Sequence, residues 1–378
     1  MYFMRKSNRI FLLITLFHLQ ISSLAQSKPF LLNGTLKGIQ NGSIAIHLID
    51  DNNQKFQLVK EAIVKKEKFQ FTGTIPFPFK AYFIINDSLS TSEFYIDYGK
   101  QEIFLNIDSL QNEIKITGSK SNQEYINNYK KQINPFDHSM DNWYNDYWQL
   151  LAKYNQKLPV EIEDSMQQIS NSIIYKIDSV NLHYIKRNPL SYVGFWEIYQ
   201  KIYNNGYRPI FDSSFRLLDR RLKSSSSGIF IKKLLEGGKQ IQIGNKFPFF
   251  ECVDSSGSVI NNYNSKLKQF TLIDFWFSYC SPCISQFNGL KKIYAEYKGK
   301  GFEILSISVD KKENKMNWEN VLNKYQLEWP QYWDQDQKQS SKLAINIFPT
   351  NFLLDKNGKI IAKNLMPNQL SYFLSKHL

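Results

Sequence analysis

Cysteine is scarce in this chain: Cys252, Cys280 and Cys283 are its whole complement in 378 residues. So few sulfurs exclude a disulfide scaffold of the kind that holds small secreted domains together. Histidine is equally sparse. His18, His47, His138, His183 and His377 are scattered, and none follows the paired cysteines to complete a tetrahedral zinc set. Covalent haem attachment needs histidine directly after the second cysteine, where Ile284 stands. No metal and no other cofactor is therefore expected. A permanent membrane span is also not expected, because the apolar run at residues 10–19 is about ten residues long and carries His18. A helix that crosses a bilayer takes roughly 20 apolar residues. Missing as well is any basic stretch interleaved with aromatics. The formal charge is +13, but lysines are spread over the whole length, so the surface reads as solvated and cationic, and no nucleic-acid partner is expected.

The apolar fraction of 42% with 15% aromatics is ample for packed cores, and the length suggests about two or three domains. Residues 1–25 read as an export signal. Arg5, Lys6 and Arg9 precede the short apolar run, and Ser23-Leu24-Ala25 follows it as a small-x-small cleavage site. Cleavage after Ala25 would leave a charge of +10, and retention as an anchor stays open. No cysteine follows the cleavage point to accept a lipid. These features predict a protein of the periplasm or cell envelope.

Three segments follow. Residues 29–118 alternate apolar and polar positions in runs such as SIAIHLID, KFQFTGTI and QEIFLNID, which predicts a strand-rich, antiparallel sandwich or barrel. Asn41-Gly42 is its hairpin-turn signal. Residues 121–240 lose that alternation and read as helices, with Ile169, Ile173, Ile177 and Val180 at helical spacing, Ser224 to Gly228 as a loop and Gly237-Gly238 as the end of the last helical piece. The aromatic stripe at Trp143, Tyr147 and Trp148 reads as packing. Residues 241–378 alternate strands and helices, which predicts an α/β domain with a mixed central sheet.

Chemistry concentrates at Cys280-Ser281-Pro282-Cys283, between the apolar run LIDFWFSY and the helix-like stretch ISQFNGLKKIYAEYK. A sulfur at a helix start meets free N–H groups and the positive end of the macrodipole, which favour thiolate over thiol. Cys280 is thus the predicted nucleophile. Two intervening residues bring Cys283 within disulfide distance in one turn, as the resolving and more buried partner. Cys252, in FPFFECVDSSG, reads as a small buried hydrophobe.

The stretch LIDFWFSYCSPC, the strand SISVD and the segment IFPTNFLLDKNGKI, in that order, resemble the thioredoxin-like domain of TlpA-type thiol-disulfide oxidoreductases. The resemblance covers the last 135 or so residues. More loosely, residues 29–118 resemble the uncharacterised domain that precedes such modules in some envelope proteins. The resemblance implies a cis bond at Phe348-Pro349 facing the cysteines, where an extended substrate segment pairs, with Thr350 opening the next strand. It implies that Asp274 is the buried acid that accepts and returns a proton for Cys283. Two departures stand out: Ser306 takes the place of the acid's companion lysine, and Gln286 that of a glutamate found after the second cysteine in many relatives. Glutamine does not shuttle protons. Tyr279 stands where tryptophan is usual and is the preferred candidate for substrate contact, while Trp276 reads equally as a substrate contact or as plain core. The implied partners are disulfide-containing exported proteins and a membrane-embedded electron donor. A peroxidase of the peroxiredoxin type is a weaker reading, since Phe277 and Ser278 precede Tyr279-Cys280 where that family has proline and threonine. A non-catalytic binding module carrying a thioredoxin-like platform is the alternative from another class.

Overall fold

Period-two burial builds the first unit strand by strand. A computed structural model describes residues 27–49, 61–155, 158–254, 257–260 and 266–378; the signal expected at residues 1–25 lies outside them. In β1 (Lys28–Lys37), Phe30, Leu32 and Leu36 turn into the core while Asn33 and Thr35 are half-buried. Then come β2 (Asn41–Leu48), β3 (Glu61–Lys65), β4 (Lys68–Ile75), β5 (Phe79–Ile85), β6 (Leu89–Ser90), β7 (Phe94–Ile96), β8 (Gly99–Asn106) and β9 (Ile116–Thr117). They form one nine-stranded sheet in the order β6-β5-β2-β3-β4-β1-β8-β9, with β7 also on β5. The ends of that order do not pair with each other, so the sheet is a half-barrel.

Two expectations need correction here. The pairing is antiparallel except that β8 runs parallel to β1, because the strands from β2 to β7 act together as the long crossover a parallel pair requires. Asn41-Gly42 is not a turn. Both residues lie inside β2, in register with Lys65 and Val64. One tight turn is at Lys66 and Glu67, both at positive φ, where Glu67 is held by a 2.9 Å hydrogen bond from the Gly38 N–H to its side chain. A tertiary contact thus supports a left-handed turn that its residue types do not announce.

The helical segment starts with α1 (Lys120–Glu124), passes through a π-turn at Tyr125–Lys130 and continues as α2 (Lys131–Lys153), α3 (Val160–Arg187), α4 (Tyr192–Asn205), α5 (Pro209–Leu217), α6 (Arg220–Lys223) and α7 (Ser226–Gln240). Its apolar residues complete the core of the sheet. Trp196 packs on Phe79 at 5.0 Å between ring centroids and donates its indole N–H to the Pro78 carbonyl at 2.9 Å. The loop expected at Ser224 to Gly228 is largely helix, since the Ser225 hydroxyl caps the Gly228 N–H at 3.0 Å. Gly237 and Gly238 lie within α7 rather than ending it. Their value is close approach: a Cβ on Gly237 would sit 1.8 Å from the Lys342 carbonyl oxygen.

The last unit comprises β10 (Cys252–Asp254), β11 (Val259–Ile260), β12 (Phe270–Trp276), α8 (Ser281–Tyr297), β13 (Phe302–Ser308), α9 (Lys315–Tyr325), β14 (Gln331–Trp333), β15 (Thr350–Asp355), β16 (Ile360–Lys363) and α10 (Pro367–His377). The sheet order is β11-β10-β14-β13-β12-β15-β16, with β12, β13 and β14 parallel and the outer pairings antiparallel, a mixed sheet as expected. Strand β12 is central and buried along most of its length. Ile273 and Phe275 face one core, while Leu272 and Trp276 face the side covered by α8. The two units meet at Gly237 and at α10, where the Gln369 side chain donates to Asp164 at 2.7 Å. Among the described residues no helix is long and apolar enough to cross a membrane.

Gly237→Ala forces the seam apart, and a loss of about 1–3 kcal/mol is expected from overpacking. Gly299 has open space around it. The matching Gly299→Ala change should leave the denaturant midpoint almost unmoved, and equal midpoints for the two variants would refute the close-contact account.

Candidate active site

Strand β12 delivers the chain to the sulfurs through Phe277, Ser278 and Tyr279. That short connection is fixed by Asp310, a buried carboxylate just beyond β13. The Ser278 N–H donates to Asp310 Oδ2 at 2.9 Å, the Ser278 hydroxyl to Oδ1 at 2.7 Å, and the Ser308 hydroxyl to Oδ2 at 2.7 Å. The Trp333 indole N–H donates to the Asp310 carbonyl at 2.7 Å. Cys280 is then the N-cap of α8, and its Sγ accepts the Cys283 N–H at 3.1 Å. Pro282 occupies the first turn, where a missing N–H costs nothing.

Cys280 and Cys283 are joined as a disulfide with Cα atoms 5.2 Å apart. Both are nearly enclosed, Cys283 slightly more so. Around them pack Trp276, Phe287, Trp318 and Trp333, with Phe348 against the same cluster. Of the expected substrate contacts, Tyr279 is 56% exposed at the rim, and its hydroxyl accepts a hydrogen bond from the Asn317 side chain. Trp276 does not fit that role. It is fully buried, its ring edge-on to Phe287 at 5.1 Å, because its strand position points beneath α8 rather than outward. The Phe348-Pro349 bond is cis, Phe348 meets Phe277 at 5.5 Å, and the Thr350 hydroxyl braces the loop by donating to the Ile347 carbonyl at 2.7 Å. Cys252 is buried and unpaired, away from the other two sulfurs in the β10 core.

Asp274 shares its strand face with Leu272 and Trp276, and so lies on the α8 side, beneath the helix that carries Cys283. It is 3% exposed. Burial pushes its carboxyl up to about 7, opposed by the Ser306 hydroxyl, which donates to Oδ2 at 3.3 Å. Ser306 is its register partner across β13 and accepts the Trp329 indole N–H at 2.8 Å. Asp274 therefore gains or loses a proton near neutrality without any paired cation. Gln286, partly exposed, reaches the Met366 sulfur instead.

Sequence reasoning left Asp310, Trp318 and Trp333 unassigned. Asp310 ends the motif SISVD, so its signal was present, but only the fold reveals that it grips Ser278. Trp318 and Trp333 come from α9 and β14 and carry no local mark of their meeting at the sulfurs, with ring centroids 6.0 Å apart. Among the described residues, no group of three or more histidine, cysteine, aspartate or glutamate side chains is arranged to hold a metal ion.

The profile of the AhpC/TSA family matches residues 243–363, and that of a domain of unknown function, DUF4369, matches residues 30–125. Thiol-disulfide oxidoreductase ResA of Bacillus thuringiensis is 30% identical over 166 residues, which are 43% of this chain and 94% of that protein. Among solved structures, a thiol-disulfide oxidoreductase from Bacteroides fragilis is 29% identical with a TM-score of 0.32, covering 35% of this chain and all of the other. A thioredoxin-like protein from Bacteroides caccae is 19% identical with a TM-score of 0.42, covering 58% of this chain and 84% of that one.

Asp310→Ala removes the acceptor for the Ser278 N–H and hydroxyl. A stability loss of about 1–3 kcal/mol is expected, with slower disulfide exchange at Cys280. Thermal melting and insulin-reduction rates check both, and wild-type values in each would show that the grip on Ser278 does not matter.

Proposed function

Because the chain belongs to the thiol-disulfide oxidoreductases of the ResA and TlpA type, we propose that it reduces disulfides in exported proteins of the cell envelope, with Cys280 as nucleophile and Cys283 as resolving thiol. The observation that carries this reading is the Cys280 sulfur at the α8 N-cap, accepting the Cys283 N–H and bonded to the Cys283 sulfur. In the reduced protein the same N–H and the helix terminus stabilise a thiolate on Cys280.

The thiolate attacks one sulfur of a client disulfide, forms a mixed disulfide and releases the first client thiolate. Cys283 then attacks the Cys280 sulfur, closes the internal disulfide and releases the second client thiolate, so two electrons pass to the client. The proton that leaves Cys283 needs an acceptor. Asp274, on the α8 face and with its carboxyl near 7, is suited to take it, directly or through water. Tyr279 at the rim, together with the Phe348-Pro349 loop and Thr350, offers the docking surface for an extended client segment. The closed disulfide requires two electrons from an outside dithiol, for which a membrane-embedded donor is the natural source in a compartment without a thiol pool. Reduction is the preferred direction on the resemblance of the motif around Pro282, although about 30 mV, or 1.4 kcal/mol, separates tenfold changes in the equilibrium.

Two experiments test the cycle. Cys283→Ser is expected to accumulate mixed disulfides with client proteins in cells, identifiable by mass spectrometry and absent from a Cys280→Ser, Cys283→Ser control. Identical recovery from both would favour a non-catalytic binding module. The second concerns Asp274. A carboxyl raised in the folded state stabilises fully below its unfolded value near 4, and that contribution is lost as pH rises through about 7. Asp274→Asn is therefore expected to be more stable than the parent above neutrality, by up to about 4 kcal/mol. It should also slow resolution and remove the pH dependence of that step near 7. An unchanged profile would exclude Asp274 from the proton path.

A further inference from the structure

Away from the cysteines, the first sheet and helices α2, α3 and α4 line an open cavity of about 410 Å³, a size typical of small-molecule sites. Part of its lining is satisfied internally. Lys80, fully within the core, bonds Glu197 at 2.7 Å and Glu93 at 2.6 Å, and Gln200 bridges to both Lys80 and Glu93. The neighbouring part is not. Asp178 is 1% exposed and accepts Arg208 Nε on Oδ2 at 2.6 Å, yet Asp178 Oδ1 and Arg208 Nη2 are buried without a protein partner. Unmet buried polar atoms of this kind cost free energy unless something fills their bonding capacity.

Lys201 lines the same region and forms no ion pair within 4 Å among the described residues, although Glu197 and Asp178 act on it from farther away. Burial holds its ammonium below the usual lysine range, Lys80 and Arg208 push the same way, and the two acids oppose them. Four cations of the lining, Lys80, Lys130, Lys201 and Arg208, stand against four acids, Glu93, Asp137, Asp178 and Glu197, and of the cations Lys130 and Lys201 form no ion pair within 4 Å among the described residues. The lining also includes aromatic side chains. Trp143 is pinned by its indole N–H on the Met166 carbonyl at 2.8 Å and by stacking on Tyr147 at 5.2 Å, and Tyr144 beside it is 52% exposed. The π-turn brings Tyr125, Tyr129 and Lys130 onto the lining, and such turns commonly re-aim side chains at functional sites.

We propose that this cavity binds a small carboxylate bearing an adjacent hydrogen-bond donor and an aromatic or apolar body, as at the C-terminal residue of a peptide. The carboxylate lies on Lys201 and Arg208 Nη2, the donor on Asp178 Oδ1 and the body against Trp143. The site is independent of the redox cycle.

Calorimetric titration of the full chain with N-acetyl-tyrosine and N-acetyl-phenylalanine, against their C-terminal amides and inorganic phosphate, tests it. Saturable binding of one acid per chain is expected, at least about tenfold tighter than the amides or phosphate. Lys201→Met should weaken the acids about tenfold or more, Lys201→Arg should retain them, and insulin reduction should be unchanged in both. Absence of saturable binding by either acid, equal binding of acid and amide, or phosphate binding as tightly as the acids overturns the proposal. So does undiminished binding to a folded Lys201→Met variant. The acid-against-amide comparison uses the unmutated protein and stands even if that variant does not fold.

Discussion

Where β12 ends and α8 begins is settled by one carboxylate. Asp310 holds both the backbone and the hydroxyl of Ser278, which leaves only Tyr279 between a clamped residue and Cys280. The cap geometry at Cys280 then follows, because the helix must start where the clamp releases the chain. A buried acid bonded on both oxygens is expensive to desolvate and gains its keep through neighbours that are themselves fixed. Here they are: Ser308 ends a central strand, and the Trp333 indole holds the Asp310 backbone. The sulfur is placed by the sheet rather than by the helix alone.

Asp274 illustrates how the same sheet sets proton chemistry. With a lysine opposite, a buried carboxylate has a charge to face. With Ser306 opposite, it has a hydroxyl that is itself occupied by Trp329. Burial dominates, and the acid titrates near neutrality instead of staying ionised. Gln286, whose amide does not shuttle protons, is engaged with Met366 instead.

The pairing of Cys280 with Cys283 was legible because the two lie within one turn of the chain, and the burial of Asp274 because it sits inside the apolar strand before them. The alternating strands and helices of the last unit were legible for the same local reason. What escaped depends on distance in sequence. The parallel β1 and β8 pair joins segments about 70 residues apart, and nothing in either run marks its partner. The Lys66-Glu67 turn carries no glycine or asparagine because its support comes from Gly38. Gly237 looks like a helix stop until the Lys342 carbonyl is seen beside it. Trp276 reads equally as a substrate contact or as core until strand alternation is seen to turn it inward. The cavity lined by Lys201 and Asp178 was likewise invisible, since its walls come from β5, the π-turn and three helices.

The stretch from Leu343 to Ile345 is stitched into two cores at once. Ala344 belongs to the core of the half-barrel unit, while Leu343 and Ile345 on either side belong to that of the redox unit. Three residues later comes Phe348. The loop that faces the sulfurs is thus moored at its upstream end to the front half of the molecule, and a redox domain cut free of that half would carry the loop with one anchorage gone.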